Sequence, residues 1–283
     1  MAQPHTRSDE KKQEEHSKSV SEAGRPNAFV LHEAIRKEGD EELRRDGLAL
    51  FTSAIAAGLT MGFSLIVPGV LKAHLRAAEW TSLVTSLGYA TGFLIVVLGR
   101  QQLFTENTVT PILPLLHDRT VKTLWRVLRL WGIVLTGNIV ATAAIAAVLS
   151  HSEAFAPNVR DAFTEIAHHA VGSGFGTTVI KAVFAGWLIA LMVWMLPATG
   201  SAAPFVIVLI TWLVSMCDLA HIVAGSVDAF YLFFTGAASI SDYAWRFFVP
   251  TLLGNVIGGT ALVAVLNYGQ VAPQAEEKKS TEE

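Results

Sequence analysis

Long apolar runs separated by short polar ones fill the middle of the chain. They lie at about residues 48–71, 82–99, 130–149, 179–196, 202–217 and 247–266. Each approaches the ~20 residues that an α-helix needs to cross a bilayer. Two runs are interrupted. After Gly99 comes the polar stretch Arg100-Gln101-Gln102-Leu103-Phe104-Thr105-Glu106-Asn107-Thr108, followed by a second apolar piece from Val109 to Leu116. After Cys217 come Asp218, His221, Gly225 and Asp228, and apolar sequence then continues to Phe234. Ionisable groups at membrane depth cost several kcal/mol and mark a pathway or a site by default. The pattern predicts an all-α polytopic membrane protein with six transmembrane helices, of which the second and fifth are broken.

The flanks read differently. Residues 28–46 set Phe29, Ile35 and Leu43 among many charged positions. That pattern predicts a polar helix with a thin apolar stripe, lying at the cytoplasmic surface. The expected organisation is a disordered cytoplasmic tail over 1–28, an amphipathic helix over 29–46, a six-helix channel domain over 47–268 and a second cytoplasmic tail over 269–283. Residues 162–180, with His168, His169, Gly172, Gly174 and Gly176, form a weak helix. Trp80, Trp125, Trp131 and Trp245 fit interfacial anchors.

Composition agrees with this outline. Hydrophobic residues make up 52% of the 283 and charged ones only 16%, well below the quarter usual in soluble domains. Basic residues between Asp118 and Arg129 and in both tails favour the cytoplasmic side. The net charge of −3 does not point to nucleic acid, and a lone Cys217 allows no intrachain disulfide. Glu165 with His168 and His169 is the one dense cluster of the kind a metal or enzyme site needs, and no second cluster completes it. No enzyme activity, metal or cofactor is expected.

An internal correspondence links the two breaks. Gly137-Asn138-Ile139-Val140 and Gly254-Asn255-Val256-Ile257 lie 117 residues apart, and the same offset carries Phe104 onto His221. Three spans per half force the halves into opposite orientations. Paired broken helices in inverted repeats point to a path at the midplane between them. Asn138 and Asn255 are placed to bond the exposed backbone of the breaks, with Glu106, Asp218 and Gly225 beside it.

These residues resemble the formate/nitrite transporter family. Leu103-Phe104-Thr105 resembles its omega loop, Gly186-Trp187-Leu188-Ile189 its Asn-Trp-Leu signature, and His221 its central histidine. Gly254-Asn255-Val256-Ile257-Gly258-Gly259 is similar to its last-helix motif. Within the family, Arg100–Thr108 and His221–Val227 resemble the YfdC-type branch. The resemblance implies an aquaporin-like pore in each subunit, a homopentamer in the bacterial inner (plasma) membrane, and passage of small monovalent anions or their acids, such as formate, nitrite or hydrosulfide. It sets the narrow points at Tyr89, Phe93, Leu103, Phe104, Val214 and Ile189. The chain departs from the pattern where Ala170 replaces the family's lysine, and Gly186 and Gly225 replace asparagines. Lys181 or His169 is the candidate to supply the missing positive charge.

The expected mechanism centres on His221 facing the Thr105 hydroxyl. The imidazole donates a proton or a hydrogen bond to a weak-acid anion, which crosses the apolar rings as a neutral acid. Alternatives are a pore for a different small solute and a non-conducting scaffold or sensor.

Overall fold

The computed structural model describes residues 28–265 and Gly269. The expected tails therefore lie, apart from residues 28 and 269, outside the described residues. All regular structure among the described residues is helical. Four stretches are long and apolar enough to cross a membrane: Gly47–His74, Thr81–Leu98, Val121–His151 and Phe175–Met216. The last has 42 residues and is divided by a turn at Gly200.

Helix α1 (Ala28–Arg44) buries His32, Ile35, Gly39 and Leu43. That is one stripe at helical spacing. It lies against the bundle rather than merely on a membrane surface, because Gly39 lets its backbone meet that of Thr110. A Cβ at Gly39 would strike the Thr110 carbonyl oxygen. Ion pairs of Arg36 with Glu33 (2.8 Å) and Asp40 (3.0 Å) line its polar face. The sequence pattern found Ile35 and Leu43 but missed His32 and Gly39, which are not apolar.

Asp46 caps the next helix by accepting from the Leu48 and Ala49 N–H groups. Helices α2 (Gly47–Thr60) and α3 (Phe63–His74) follow each other through a tight turn. Helix α4 (Thr81–Leu98) ends at the first break. A short 3₁₀ turn (Glu106–Thr108) and helix α5 (Ile112–Asp118) follow. Thr120 caps helix α6 (Val121–His151). Residues 157–180 form two helices rather than one weak one. Pro157 opens the amphipathic α7 (Pro157–Val171), and α8 (Phe175–Thr199) begins after Gly174. Helix α9 (Ala203–Met216) ends at the second break, and α10 (Ala224–Phe234) resumes beyond it. The last element is α11 (Val249–Val256), flanked by wider π turns at 242–248 and 257–265.

Small residues set the helix contacts, as expected where lipid gives no hydrophobic drive between helices. Helix α2 lies on α6 through Gly58 and Gly137, whose added Cβ atoms would meet Ala141 and Ala54. Helix α8 lies on α11 through Gly186 and Gly254 in the same way. A Cβ at Gly186 would sit 2.5–3.0 Å from the Asn255 backbone. No side chain fits at Gly186, which is why this chain cannot carry an asparagine there. Gly186→Ala is expected to destabilise the protein by about 1–3 kcal/mol through overpacking, read as a lowered melting temperature in detergent.

Candidate functional site

The two breaks are built alike. Arg100 and Asp218 both adopt left-handed backbone, each with φ 51°. The Gln101 N–H then reaches back to Val96 O at 3.0 Å, and the Leu219 N–H reaches back to Val214 O at 3.0 Å. Asn138 accepts from the Phe104 N–H (2.9 Å) and donates to Ala54 O (2.8 Å) and Gln102 O (2.9 Å). Asn255 accepts from the Ile222 N–H (2.8 Å) and donates to Ala182 O (2.8 Å) and Ala220 O (2.9 Å). Each asparagine is fully buried and holds three backbone groups that a broken helix leaves without partners.

These bonds correct the sequence register by one residue. The Gly-Asn motifs align Phe104 with His221. The bonds align Leu103 with His221 and Phe104 with Ile222. The first half carries one more residue between its break and its asparagine, which an ungapped comparison cannot detect.

The breaks meet at His221. Its ring is 1% exposed and stands edge-on to Phe93, with centroids 4.9 Å apart. Thr105 Oγ1 lies 2.8 Å from His221 Nε2, and His221 Nδ1 accepts from the Ala224 N–H at 3.2 Å. An Nδ1 that accepts carries no hydrogen. Neutral His221 therefore has its hydrogen on Nε2, an assignment made from the bonds. Nε2–H donates to Thr105 Oγ1. The Thr105 hydroxyl hydrogen stays available to a third group.

Two cavities flank this pair. The near one, under α1, is about 540 Å³ and is lined by Glu38, Glu42, Val97, Arg100, Gln102 and Glu106 among others. The far one is about 270 Å³ and is lined by Lys72, Tyr89, His169, Lys181, Asp218, His221 and Asp228 among others. On α4, Tyr89 opens on the far cavity, Val97 on the near one, and Phe93 stands midway on the same stripe, fully buried. Leu103, Phe104, Ile189 and Val214 are equally buried and line neither cavity. Of the expected narrow points, Tyr89 lines the far cavity and the other five belong to a buried apolar layer that lines neither cavity.

Charges around the far cavity are paired. Lys181 meets Asp218 at 2.5 Å, His169 Nδ1 lies 3.3 Å from the same carboxylate, and Lys72 meets Glu165 at 2.7 Å. Hydrogen bonding to Asp218 pushes the His169 pKa up. Neither Lys181 nor His169 is an open positive charge, because each is tied to the second break. In the near cavity Arg100 meets Glu38 at 2.7 Å and Gln102 donates to Glu42 at 2.7 Å. Burial pushes the Glu42 carboxyl up from its ordinary range, against the pull of Arg45. Glu106 turns one buried oxygen into this region with no hydrogen-bond partner.

Other expected residues take more specific roles. Gly225 donates its N–H to His221 O (2.9 Å) and leaves room for the Phe247 ring, where a Cβ would lie 2.6 Å from it. An asparagine there would collide with Phe247. Trp131 is not an interfacial anchor. It turns inward, donates to Asn107 O at 2.7 Å and stands edge-on to Phe104. Trp80, Trp125 and Trp245 are more than half exposed. Sequence reasoning missed Gln102, which is buried and accepts from Asn107, and Thr108, whose backbone oxygen accepts from Thr260. Such polar positions next to a break are recognisable only once a partner is in place.

Broken membrane helices that meet between two cavities define a membrane protein of the channel and transporter class. A family model for formate/nitrite transporters matches residues 30–269. The chain is 44% identical to the inner membrane protein YfdC of Escherichia coli (strain K12), over 90% of this chain and 82% of that protein. It is 29% identical to the formate channel BtFdhC of Bacillus thuringiensis, over 65% of this chain and 73% of that one. A solved FNT family ion channel superposes with a TM-score of 0.75 at 17% identity, covering 85% of this chain and 98% of that chain. A pentameric formate channel with formate bound superposes with a TM-score of 0.64 at 20% identity, covering 78% and 96%. The chain belongs to the formate/nitrite transporter family.

Proposed function

We propose that this protein carries a small monovalent weak acid, of the formate, nitrite or hydrosulfide type, through a pore centred on Thr105 and His221. The observation that carries this reading is the 2.8 Å contact between them, which joins the two breaks beside the apolar layer. An anion in that layer would lose its hydration without a counter-charge, so the neutral acid is the species that crosses. The Thr105 hydroxyl supplies the hydrogen bond at the narrowest level, and neutral His221 holds it in place. Between a proton donor and a hydrogen-bond partner, the bonding of His221 favours the partner.

The architecture we infer is six membrane spans in two inverted halves of three. The 42-residue stretch Phe175–Met216 is long enough for two crossings, and the matching bonds of Asn138 and Asn255 support the pairing of the halves. Lys122, Arg126 and Arg129 favour the α1 side as cytoplasmic, so both termini face inward and the far cavity faces out. A homopentamer follows from likeness to the pentameric formate channel. Bands of exposed Leu, Val and Phe on the bundle suit lipid or neighbouring copies.

A flux panel tests the reading. Proteoliposomes are expected to take up formate, nitrite and hydrosulfide, and to exclude chloride, which has no neutral acid form at these pH values. Phe104→Ala, which opens the apolar layer, is expected to relax this selectivity. Equal uptake of chloride and formate by the native protein would sink the neutral-acid route.

A further inference from the structure

Gly225 and Asp228 of α10, and His221 in the break just before it, line the far cavity together. Asp228 makes no hydrogen bond or ion pair among the described residues. Every other charge facing that cavity is paired. Lys181 and His169 hold Asp218, and Lys72 from α3 holds Glu165 of α7. Of the other titratable groups packed around α10, Tyr89 from α4 lines the cavity, Tyr243 lies 3.3 Å from the Ser226 hydroxyl, Tyr231 of α10 donates to Arg160 O of α7, and His151 of α6 stands edge-on to Phe234. Asp228 is therefore an uncompensated carboxyl group in the same cavity as His221, on the route an anion would take.

We propose that the Asp228 carboxyl supplies the proton that converts the incoming weak-acid anion to its neutral form in the far cavity. The inference rests on the neutral-acid route proposed above and names the proton source for it. The O–H bond of Asp228 breaks and an O–H bond forms on the anion's oxygen. Asp228 is left as a carboxylate and regains a proton from the medium that reaches the cavity.

Three observations single out this residue. Neutral His221 has no second exchangeable hydrogen, because Nδ1 accepts from Ala224 and its one N–H is given to Thr105. Lys181 and His169 are engaged with Asp218, and a phenol is too weak an acid to protonate a carboxylate at ordinary pH. Among the described residues, Asp228 is the one carboxyl group lining the cavity that no cation engages, so its proton is free to pass to the anion's oxygen. The same carboxylate, when ionised, repels a second anion and so favours uptake on the acid side.

The test uses the full-length protein in liposomes, with labelled formate as probe and the external pH varied. Native protein is expected to take up formate faster as the external pH falls. Asp228→Asn, which keeps the shape but holds no acidic proton, is expected to lower that uptake about tenfold or more and flatten its pH profile. Asp228→Glu is expected to retain both rate and profile. Asp228→Asn with the native pH profile, or with faster uptake at alkaline pH, would overturn the proposal while leaving the channel reading intact. Loss of formate uptake by the native protein would instead remove the channel reading itself. A second measurement does not depend on flux or on the asparagine variant. Infrared difference spectra of the native protein between acid and alkaline external pH are expected to show a carboxylic acid band that shifts in Asp228→Glu. A band identical in both proteins would also overturn the proposal.

Discussion

Asn255→Ala is expected to be among the most destabilising substitutions in the protein, lowering its stability by about 3 kcal/mol or more. The change strands the Ile222 N–H and the Ala182 and Ala220 carbonyls at a depth where no water replaces the lost partner. Each such orphaned group costs about 1–3 kcal/mol. For a chain of this size the loss corresponds to a melting temperature about 10 °C lower in detergent. Asn138→Ala is expected to behave alike, because it strands Phe104, Ala54 and Gln102 in the same way. Asn255→Asp keeps the acceptor for Ile222 but loses both donors, so it does not rescue. An unchanged melting temperature in Asn255→Ala would mean that the second break is held by something other than this side chain.

The second large effect falls on transport. Thr105→Val keeps the shape of the side chain and removes its hydroxyl. If that hydroxyl is the donor at the apolar layer, the crossing barrier rises by about 1.5–3 kcal/mol, a tenfold to hundredfold loss of formate flux. Thr105→Ser is expected to recover most of it. His221→Leu removes the group that holds Thr105 and is expected to cost a similar factor. The two residues act as one unit, so the double variant should be little worse than either single one. Additive losses in that cycle would mean that His221 meets the substrate independently of Thr105.

Much of this fold was legible because membrane depth penalises polar residues so strongly. The breaks stood out as polar residues inside apolar runs, and the two Gly-Asn motifs tied them together. The same logic located His221, Thr105 and both asparagines. What it could not supply was register. A single extra residue between the first break and Asn138 shifts the correspondence from Phe104 to Leu103, and only the bonds reveal it. Nor could it tell an open charge from a paired one. Lys181 and His169 looked like lures for anions, yet the Asp218 that engages both is distant in sequence. The glycines at 186 and 225 read as missing asparagines. In three dimensions each is a place where the Asn255 backbone or the Phe247 ring already fills the space. Trp131 misled for the opposite reason, since an aromatic near a span end is ordinarily an anchor, and this one faces the break.

The central claim is that Thr105 and His221 sit on a route for small weak acids through this protein. The most direct measurement is uptake of labelled formate by proteoliposomes under an inward proton gradient, set against protein-free liposomes and the Thr105→Val protein. The account predicts rapid uptake by the native protein that collapses with the gradient and falls at least tenfold in Thr105→Val. Uptake no faster than in protein-free liposomes, or equal in the native and Thr105→Val proteins, would contradict it.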